Sequence, residues 1–318
     1  MINECYFGDC RESLDKMKQE GITVQTCVTS PPYYGLRDYG HDEQLGLEQS
    51  PEEYIQNMVK VFSKVKDVLA DDGTLWVNIG DSYYNYRPGV AYNKQSISNT
   101  KQDLPDVSAK RGRKLEGYKE KDLIGIPWML AFALRADGWY LRQDIIWAKG
   151  TSGLRREGNI LPESVKDRCS KSHEYIFLLS KSKKYYFDNE SIKEPAKDWG
   201  SRDRSNFRNG TTDPLLKHHG LETSPEMGNR RSVWRVNPKP YKGAHFATYP
   251  TELIEPCILA GSRKGDIVLD PFFGSGTTGL VAEQLGRKWV GCELNETYKE
   301  LQDERLGRKG LYEFLQKT

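Results

Sequence analysis

Ser30, Pro31, Pro32 and Tyr33 stand together in "TSPPYYGLRDYG" (29–40), at the end of a β-branched run, "VQTCVTS", that reads as a buried strand. In its plainest role the proline pair ends that strand, since proline has no N–H for the ladder and drives its predecessor to extended geometry. The neighbouring residue types also suit a chemical role. The exocyclic amine of a nucleobase is a poor nucleophile because its lone pair is delocalised into the ring. It gains reactivity when acceptors hold its hydrogens and make the nitrogen more tetrahedral. Ser30 Oγ and the Pro31 carbonyl are candidate acceptors, the carbonyl being aimed by proline's fixed φ before any substrate arrives. Tyr33 offers a ring face on which an extruded base stacks for about 1–3 kcal/mol.

A second chemical signature lies near the other end of the chain. Gly274, Gly276 and Gly279 form a G-x-G-x-x-G between a strand pattern and a helix pattern, and Glu293 closes the next strand, "WVGCEL". Taken alone, this spacing fits a tight turn without a ligand or a nicotinamide dinucleotide whose ribose meets Glu293. The preceding Asp270-Pro271-Phe272-Phe273 favours another ligand. A carboxylate there repels pyrophosphate, which favours a bare helix N-terminus. S-adenosylmethionine meets these side chains better: an α-ammonium for Asp270, ribose hydroxyls for Glu293, and an adenine that needs an apolar sandwich.

Both signatures need strands that end beside each other. "YFGDC" reads as a short strand ending in Gly8-Asp9, followed by an amphipathic helix closed by Gly21. A long helix runs from Pro51 to a turn at Asp71–Gly73, and the strand "TLWVNIGD" follows. After "LIGIPWMLAFALRADG", a helix, come the strands "WYLRQDIIWAKG" and "HEYIFLLSKS". The last third reads helix, strand, glycine turn, helix, strand, helix. This alternation predicts an α/β protein with a mostly parallel sheet covered on both faces. Ligands of such sheets sit beyond the carboxyl ends of strands, so two special loops at one edge imply one site. Two segments lack periodicity: residues 85–121, with nine Lys/Arg against four Asp/Glu, and residues 188–235.

Composition narrows the function classes. With 318 residues and 37% hydrophobic content the chain can bury a full core, and a net charge of +2 leaves nucleic-acid binding to local clusters. Six cysteines without a C-x-x-C and five histidines without H-x-x-x-H give neither a disulfide framework nor a zinc signature, and suit a reducing cytoplasm. No metal is expected at the site. The longest apolar run, "IGIPWMLAFAL", is far short of the roughly 20 residues a membrane span needs.

At these residues the sequence resembles the amino-methylating DNA methyltransferases, which move a methyl group from S-adenosylmethionine to N4 of cytosine or N6 of adenine. "TSPPYYGLRDYG" matches the catalytic motif and "DPFFGSGTT" the cofactor motif, with "HFATYPTELIEPCILAGS", "WYLRQDIIWAKG" and "HEYIFLLSKSKKYYFD" extending the match. The resemblance implies a Rossmann-like fold with a mixed, mostly parallel seven-stranded sheet. The motif order is that of the circularly permuted β group. It implies a catalytic half (1–187, with the basic loop 85–121), a target recognition insertion (188–235) and a cofactor half (236–318). It further implies that Asp270, Phe272, Gly274, Ser275, Gly276, Thr277 and Glu293 line the cofactor site, with His245, Phe246, Thr248 and Pro250 from the segment before. Asp9 would accept from the cofactor's adenine amine. Members with serine at the first catalytic position lean toward cytosine, so N4 of cytosine is the expected target and N6 of adenine the alternative.

A target inside a duplex must be flipped out, at a cost of a few kcal/mol. Candidate phosphate contacts are Lys110, Arg111, Arg113 and Lys114, the pair Arg155-Arg156, and the pair Arg230-Arg231. Pro256-Cys257, the only Pro-Cys, lies in an apolar helical pattern, so a cysteine nucleophile for C5 methylation is not expected. No Asp or Glu is followed at the second position by Lys, so cleavage in a restriction-modification pair would belong to a separate endonuclease. A monomer or homodimer acting on double-stranded DNA is the expectation. An RNA or protein amide methyltransferase and a dinucleotide-dependent oxidoreductase remain as other classes.

Overall fold

The structure, a computed structural model, describes residues 2–36, 44–85, 114–149, 165–196, 227–238 and 249–308. Its strands are β1 (Glu4–Phe7), β2 (Val24–Thr29), β3 (Leu69–Ile79), β4 (Tyr140–Lys149), β5 (His173–Ser180), β6 (Glu194–Pro195), β7 (Met227–Gly228), β8 (Val233–Val236), β9 (Ile267–Asp270) and β10 (Lys288–Glu293). Its α-helices are α1 (Cys10–Gln19), α2 (Pro51–Val68), α3 (Ile126–Ala136), α4 (Thr251–Gly261), α5 (Thr277–Gln284) and α6 (Tyr298–Arg305).

Local chemistry starts and orients the helices. Asp9 caps α1 by accepting from Arg11 N, and Cys10, Leu14 and Met17 bury one face of it. Ser50 caps α2 through Glu53 N with Pro51 in the first turn, and Tyr54, Met58, Val61, Phe62 and Val65 form its buried stripe. Asp81 Oδ1 accepts from Gly125 N and Ile126 N at 3.0 and 3.2 Å, fixing the start of α3 to the end of β3.

The main sheet has eight strands in the order β1-β10-β9-β2-β3-β5-β4-β8. All neighbours are parallel except β5, which runs antiparallel to β3 and β4. Alternating side chains of β3 feed two cores. Leu75 and Val77 join Leu14, Phe62, Leu130 and Phe177 on the face of α1, α2 and α3, while Trp76 joins Val28, Leu178, Ile258 and Trp289 on the face of α4. Cys257 is in the second core at 1% exposure, and burial holds its thiol well above the usual range, which is the environment of an inert cysteine.

Two elements differ from the sequence reading. The helix α2 passes straight into β3, and the turn expected at Asp71–Gly73 is a bulge in that strand, visible as a register shift from Val24↔Leu69 to Thr26↔Thr74. Gly73 permits it, because a Cβ there would lie 2.9 Å from Gln25 O. The sheet also carries eight strands rather than seven. The additional edge strand, β8, comes from the end of the segment 188–235, pairs with β4 and buries Trp234 in the second core beside Ile192. Among the described residues no helix is long and apolar enough to cross a membrane.

One packing contact sets the glycine turn onto the sheet. Phe273 stacks on Trp289 with ring centres 4.6 Å apart, and a Cβ at Gly279 would lie 2.7 Å from its ring, while one at Gly291 would collide with it outright. Gly291→Ala should therefore overpack this junction and lower stability by roughly 1–3 kcal/mol, read from the urea midpoint. Phe273→Leu in the same chain should recover part of the loss.

Candidate active site

The strand order contains one switch point. From β9 the chain crosses through α5 to β10 on one side, and from β2 through α2 to β3 on the other. Neighbouring β9 and β2 thus open a crevice at their carboxyl ends, where α/β sheets bind ligands. The Ser30–Tyr33 loop leaves β2 there and the glycine turn leaves β9 there, so the structure brings the two signatures to one edge.

Asp270, 1% exposed, joins them. Its Oδ1 accepts from Thr29 Oγ1 at 2.6 Å and from Phe272 N at 3.0 Å. Its Oδ2 accepts from Thr278 Oγ1 at 2.6 Å and from Tyr249 OH at 2.9 Å, and the two hydroxyl oxygens lie against each other. A buried carboxylate must be satisfied, and here the chain's own donors fill it. This corrects the expectation that Asp270 waits for an ammonium group. Tyr249 was not anticipated, although it lies inside the quoted segment "HFATYP".

The turn itself is built to approach a ligand closely. Gly274 and Gly276 take φ of 52° and 84°, a region that favours glycine. α5 starts at Gly276 without a side-chain cap. Ser275 is 2% exposed, and its Oγ has no partner among the described residues. An orphaned hydroxyl beside an uncapped helix start fits a cofactor with polar and anionic groups. Glu293 Oε2 accepts from Gly274 N at 2.7 Å and its Oε1 from Asn295 N at 2.9 Å, so this carboxylate braces the turn and keeps lone pairs for ribose hydroxyls. Phe272 is half-buried at the edge of the first core, whereas Phe273 is inside the protein and is not available to a ligand. Thr277 is buried and accepts from Arg305. Pro250 is buried as the residue before α4.

Asp9 follows β1, whose last residue, Phe7, pairs with Glu293 on β10. Its oxygens are held by Arg11, through the backbone N at 2.7 Å and the side-chain Nε at 2.9 Å. Partial burial raises its pKa, but the Arg11 hydrogen bonds outweigh this and hold the carboxyl below its usual value. In place of an open acceptor for an adenine amine, the structure has a helix cap paired with a guanidinium.

In the catalytic loop, Ser30 is half-buried and Pro31 buried. Tyr54 OH donates to Pro32 O at 2.8 Å, which ties the loop to α2 and leaves the Pro31 carbonyl as the candidate acceptor. Tyr33 OH donates to Glu174 Oε2 at 2.7 Å, and its ring lies over Gly80, where a Cβ would come within 2.7 Å of it. Glu174 also pairs with Lys149 at 2.5 Å. Neither was singled out in the sequence, although both lie in the family-like strands.

Of the expected phosphate contacts, Lys114, Arg230 and Arg231 lie among the described residues. Lys114 is exposed. Arg230 lies 4.8 Å over the Trp234 ring and is half-buried, and Arg231 is paired with Glu194 at 2.5 Å. Lys110, Arg111, Arg113, Arg155, Arg156, His245, Phe246 and Thr248 lie outside the described residues.

Burial raises the Asp270 pKa, and its four hydrogen bonds only partly pull it back. Its folded value thus exceeds its unfolded one, so its contribution to stability is complete below about pH 4 and is lost as pH rises through the folded value. Glu293 is raised for the same first reason and acts with the same sign. Urea unfolding across a pH series should show this decline, and Asp270→Asn should reduce its slope.

The chain matches the model of the N6/N4 DNA methylase family over residues 24–304. It is 50% identical over 285 residues to the type II methyltransferase M.Cfr9I of Citrobacter freundii, covering 89% of this chain and 81% of that one. It is 48% identical over 306 residues to M.SmaI of Serratia marcescens, covering 95% and 90%. Among solved structures, the putative DNA modification methylase TTHA0409 of Thermus thermophilus, complexed with S-adenosyl-L-methionine, aligns with a TM-score of 0.56 and 23% identity, over 96% of this chain and 93% of that one. The cytosine-N4-specific PvuII DNA methyltransferase aligns with a TM-score of 0.56 and 18% identity, over 96% and 93%. Both show the shared fold. With the two motifs side by side at the switch point and these matches along the chain, this protein belongs to the amino-methylating DNA methyltransferases, whose methyl donor is S-adenosylmethionine.

Proposed function

We propose that the protein methylates N4 of a flipped cytosine in a specific duplex DNA sequence, as the modification enzyme of a type II restriction system. The observation that carries this reading is the junction of β2 and β9, where a serine-proline acceptor loop and a cofactor turn open on the same crevice. S-adenosylmethionine supplies an electrophilic methyl group. On this reading the 274–277 turn, the Ser275 hydroxyl, Glu293 and the half-buried Phe272 hold that cofactor, and Asp270 shapes their bed from below. Ser30 Oγ and the Pro31 carbonyl hold the hydrogens of the target amine, and the Tyr33 ring faces the base. Direct displacement needs no covalent intermediate on the protein, so positioning supplies most of the rate, up to about 7–11 kcal/mol in well-oriented systems.

Serine at position 30 supports cytosine, because family members with serine at this place lean that way. The curated relatives M.Cfr9I and M.SmaI are named type II methyltransferases, which supports a partner endonuclease on a separate chain. Target recognition is assigned to residues 188–235 and backbone grip to the basic loop 85–121, in the motif order of the β group. The enzyme acts in the cytoplasm as a monomer or homodimer.

The test is direct. The protein is incubated with labelled S-adenosylmethionine and genomic duplex DNA, and the DNA is digested to nucleosides and separated by mass. N4-methylcytosine is the expected product, methyladenine alone would overturn the choice of base, and unlabelled DNA would overturn the reading as a whole.

A further inference from the structure

The phenol of Tyr33 is gripped by side chains from three neighbouring strands. Its OH donates to Glu174 Oε2 at 2.7 Å, from β5. Lys149 Nζ, at the end of β4, holds the other carboxylate oxygen at 2.5 Å. Asn78 Nδ2, on β3, lies 3.3 Å from Oε2 and donates to Tyr175 O at 3.1 Å. The carboxylate that receives the phenol is thus oriented at both oxygens. The ring is confined as well. Its Cε2 edge fills the hollow over Gly80, where a Cβ would lie 2.7 Å from it and 3.4 Å from the Glu174 carboxyl carbon. The backbone on either side is tied down, by Tyr54 OH donating to Pro32 O at 2.8 Å and by Leu36 N donating to Tyr33 O at 3.2 Å. Tyr33 nevertheless stays half-buried, so part of the residue is open.

An ion pair is a poor device for stability alone. The side chains of Lys149 and Glu174 are only 20% and 13% exposed, and at that depth desolvation offsets much of the attraction, where apolar residues of the same volume would pack as well. What the charges supply is direction. The second side-chain torsion of a tyrosine is broad, so packing alone leaves the ring plane soft. A carboxylate fixed at both oxygens accepts from the phenol along one line, and such a charge-assisted bond is stronger than a neutral one. Burial first, and Glu174 next, push the Tyr33 pKa well above the usual phenol range, so the hydroxyl stays a donor.

We propose that Glu174, braced by Lys149 and Asn78, is a positioning residue for methyl transfer: it fixes the plane of the Tyr33 ring, and with it the base lying against that ring, so that the amine meets the methyl group in line. This rests on the reading above in which the Tyr33 ring faces the target base. Glu174 acts only through Tyr33; it touches neither base nor cofactor and takes no part in the chemical step. A base stacked on a loose ring would sit at the right height but not at one angle, and displacement in a positioned complex depends on that angle.

The experiment compares the intact wild-type enzyme with Tyr33→Phe, Glu174→Ala, Glu174→Gln and the double variant Tyr33→Phe/Glu174→Ala. The kcat and the KM for S-adenosylmethionine are measured on genomic duplex DNA, well below each variant's thermal transition, with calorimetric binding of S-adenosylhomocysteine alongside. Tyr33→Phe keeps the ring and its packing on Gly80 but removes the clamp. Its kcat should fall on the order of 10²-fold, the cost of misplacing a reacting group by about 1 Å, with KM and S-adenosylhomocysteine affinity unchanged. Glu174→Ala should match it, and the double variant should lose no more than either single one, because both remove the same bond. Glu174→Gln, whose side-chain oxygen still accepts from the phenol, should recover part of the rate. Should Glu174→Ala fail to fold, Tyr33→Phe and Glu174→Gln decide. A wild-type kcat in Tyr33→Phe, losses that add in the double variant, or a kcat that falls only in step with Tm and cofactor affinity would overturn the clamp while the methylation of DNA stands. Wild-type enzyme that labels no DNA would overturn both.

Discussion

A buried hydrogen bond of 2.6 Å between Thr29 Oγ1 and Asp270 Oδ1 joins residues 241 positions apart in the chain, and the site exists only where they meet. A carboxylate with 1% exposure cannot be left unpaired, since burying charge without partners costs several kcal/mol. Its four donors come from β2, the glycine turn, α5 and the segment before α4. Satisfying one acid therefore locks four pieces of backbone to each other. The loop that holds an amine and the turn that holds a methyl donor are held in register by the same group.

Topology prepares that meeting. β2 and β9 are parallel neighbours whose crossovers leave in opposite directions, so no helix covers the gap above their carboxyl ends. Steric fit finishes the work. Phe273 fills the space that Gly279 and Gly291 leave empty and seats the turn on Trp289, while Tyr33 fills the space above Gly80 and seats the catalytic loop on β3. The cofactor motif thus carries one aromatic ring, Phe273, turned inward as an anchor. The chemistry-bearing atoms lie beside these anchors: the half-buried Ser30 hydroxyl, the buried Ser275 hydroxyl and the Glu293 carboxylate.

The alternation of strands and helices was legible because period and punctuation are local. Ser50 and Pro51 announce α2, and the β-branched "VQTCVT" announces a strand. The two motifs were legible because their residue types are unusual for plain turns. The functions of the acids inside them were not. Asp270 and Asp9 stand where a ligand-binding carboxylate should, yet what a carboxylate does depends on the donors that folding brings to it, and Tyr249, Thr278 and Arg11 reach theirs first. Glu174 and Lys149 were invisible for the converse reason, since they lie in different strands and meet only through the antiparallel pairing of β4 with β5. The edge strand β8 was hidden by its length of four residues and its polar surroundings.

The most direct test of the central claim is cofactor affinity in Thr29→Val, a change on the catalytic strand that keeps shape and removes one hydroxyl. If the Thr29–Asp270 bond holds the two motifs together, calorimetry should show S-adenosylmethionine binding weakened by about tenfold, the effect of a lost charge-assisted hydrogen bond. Unchanged affinity would contradict the account.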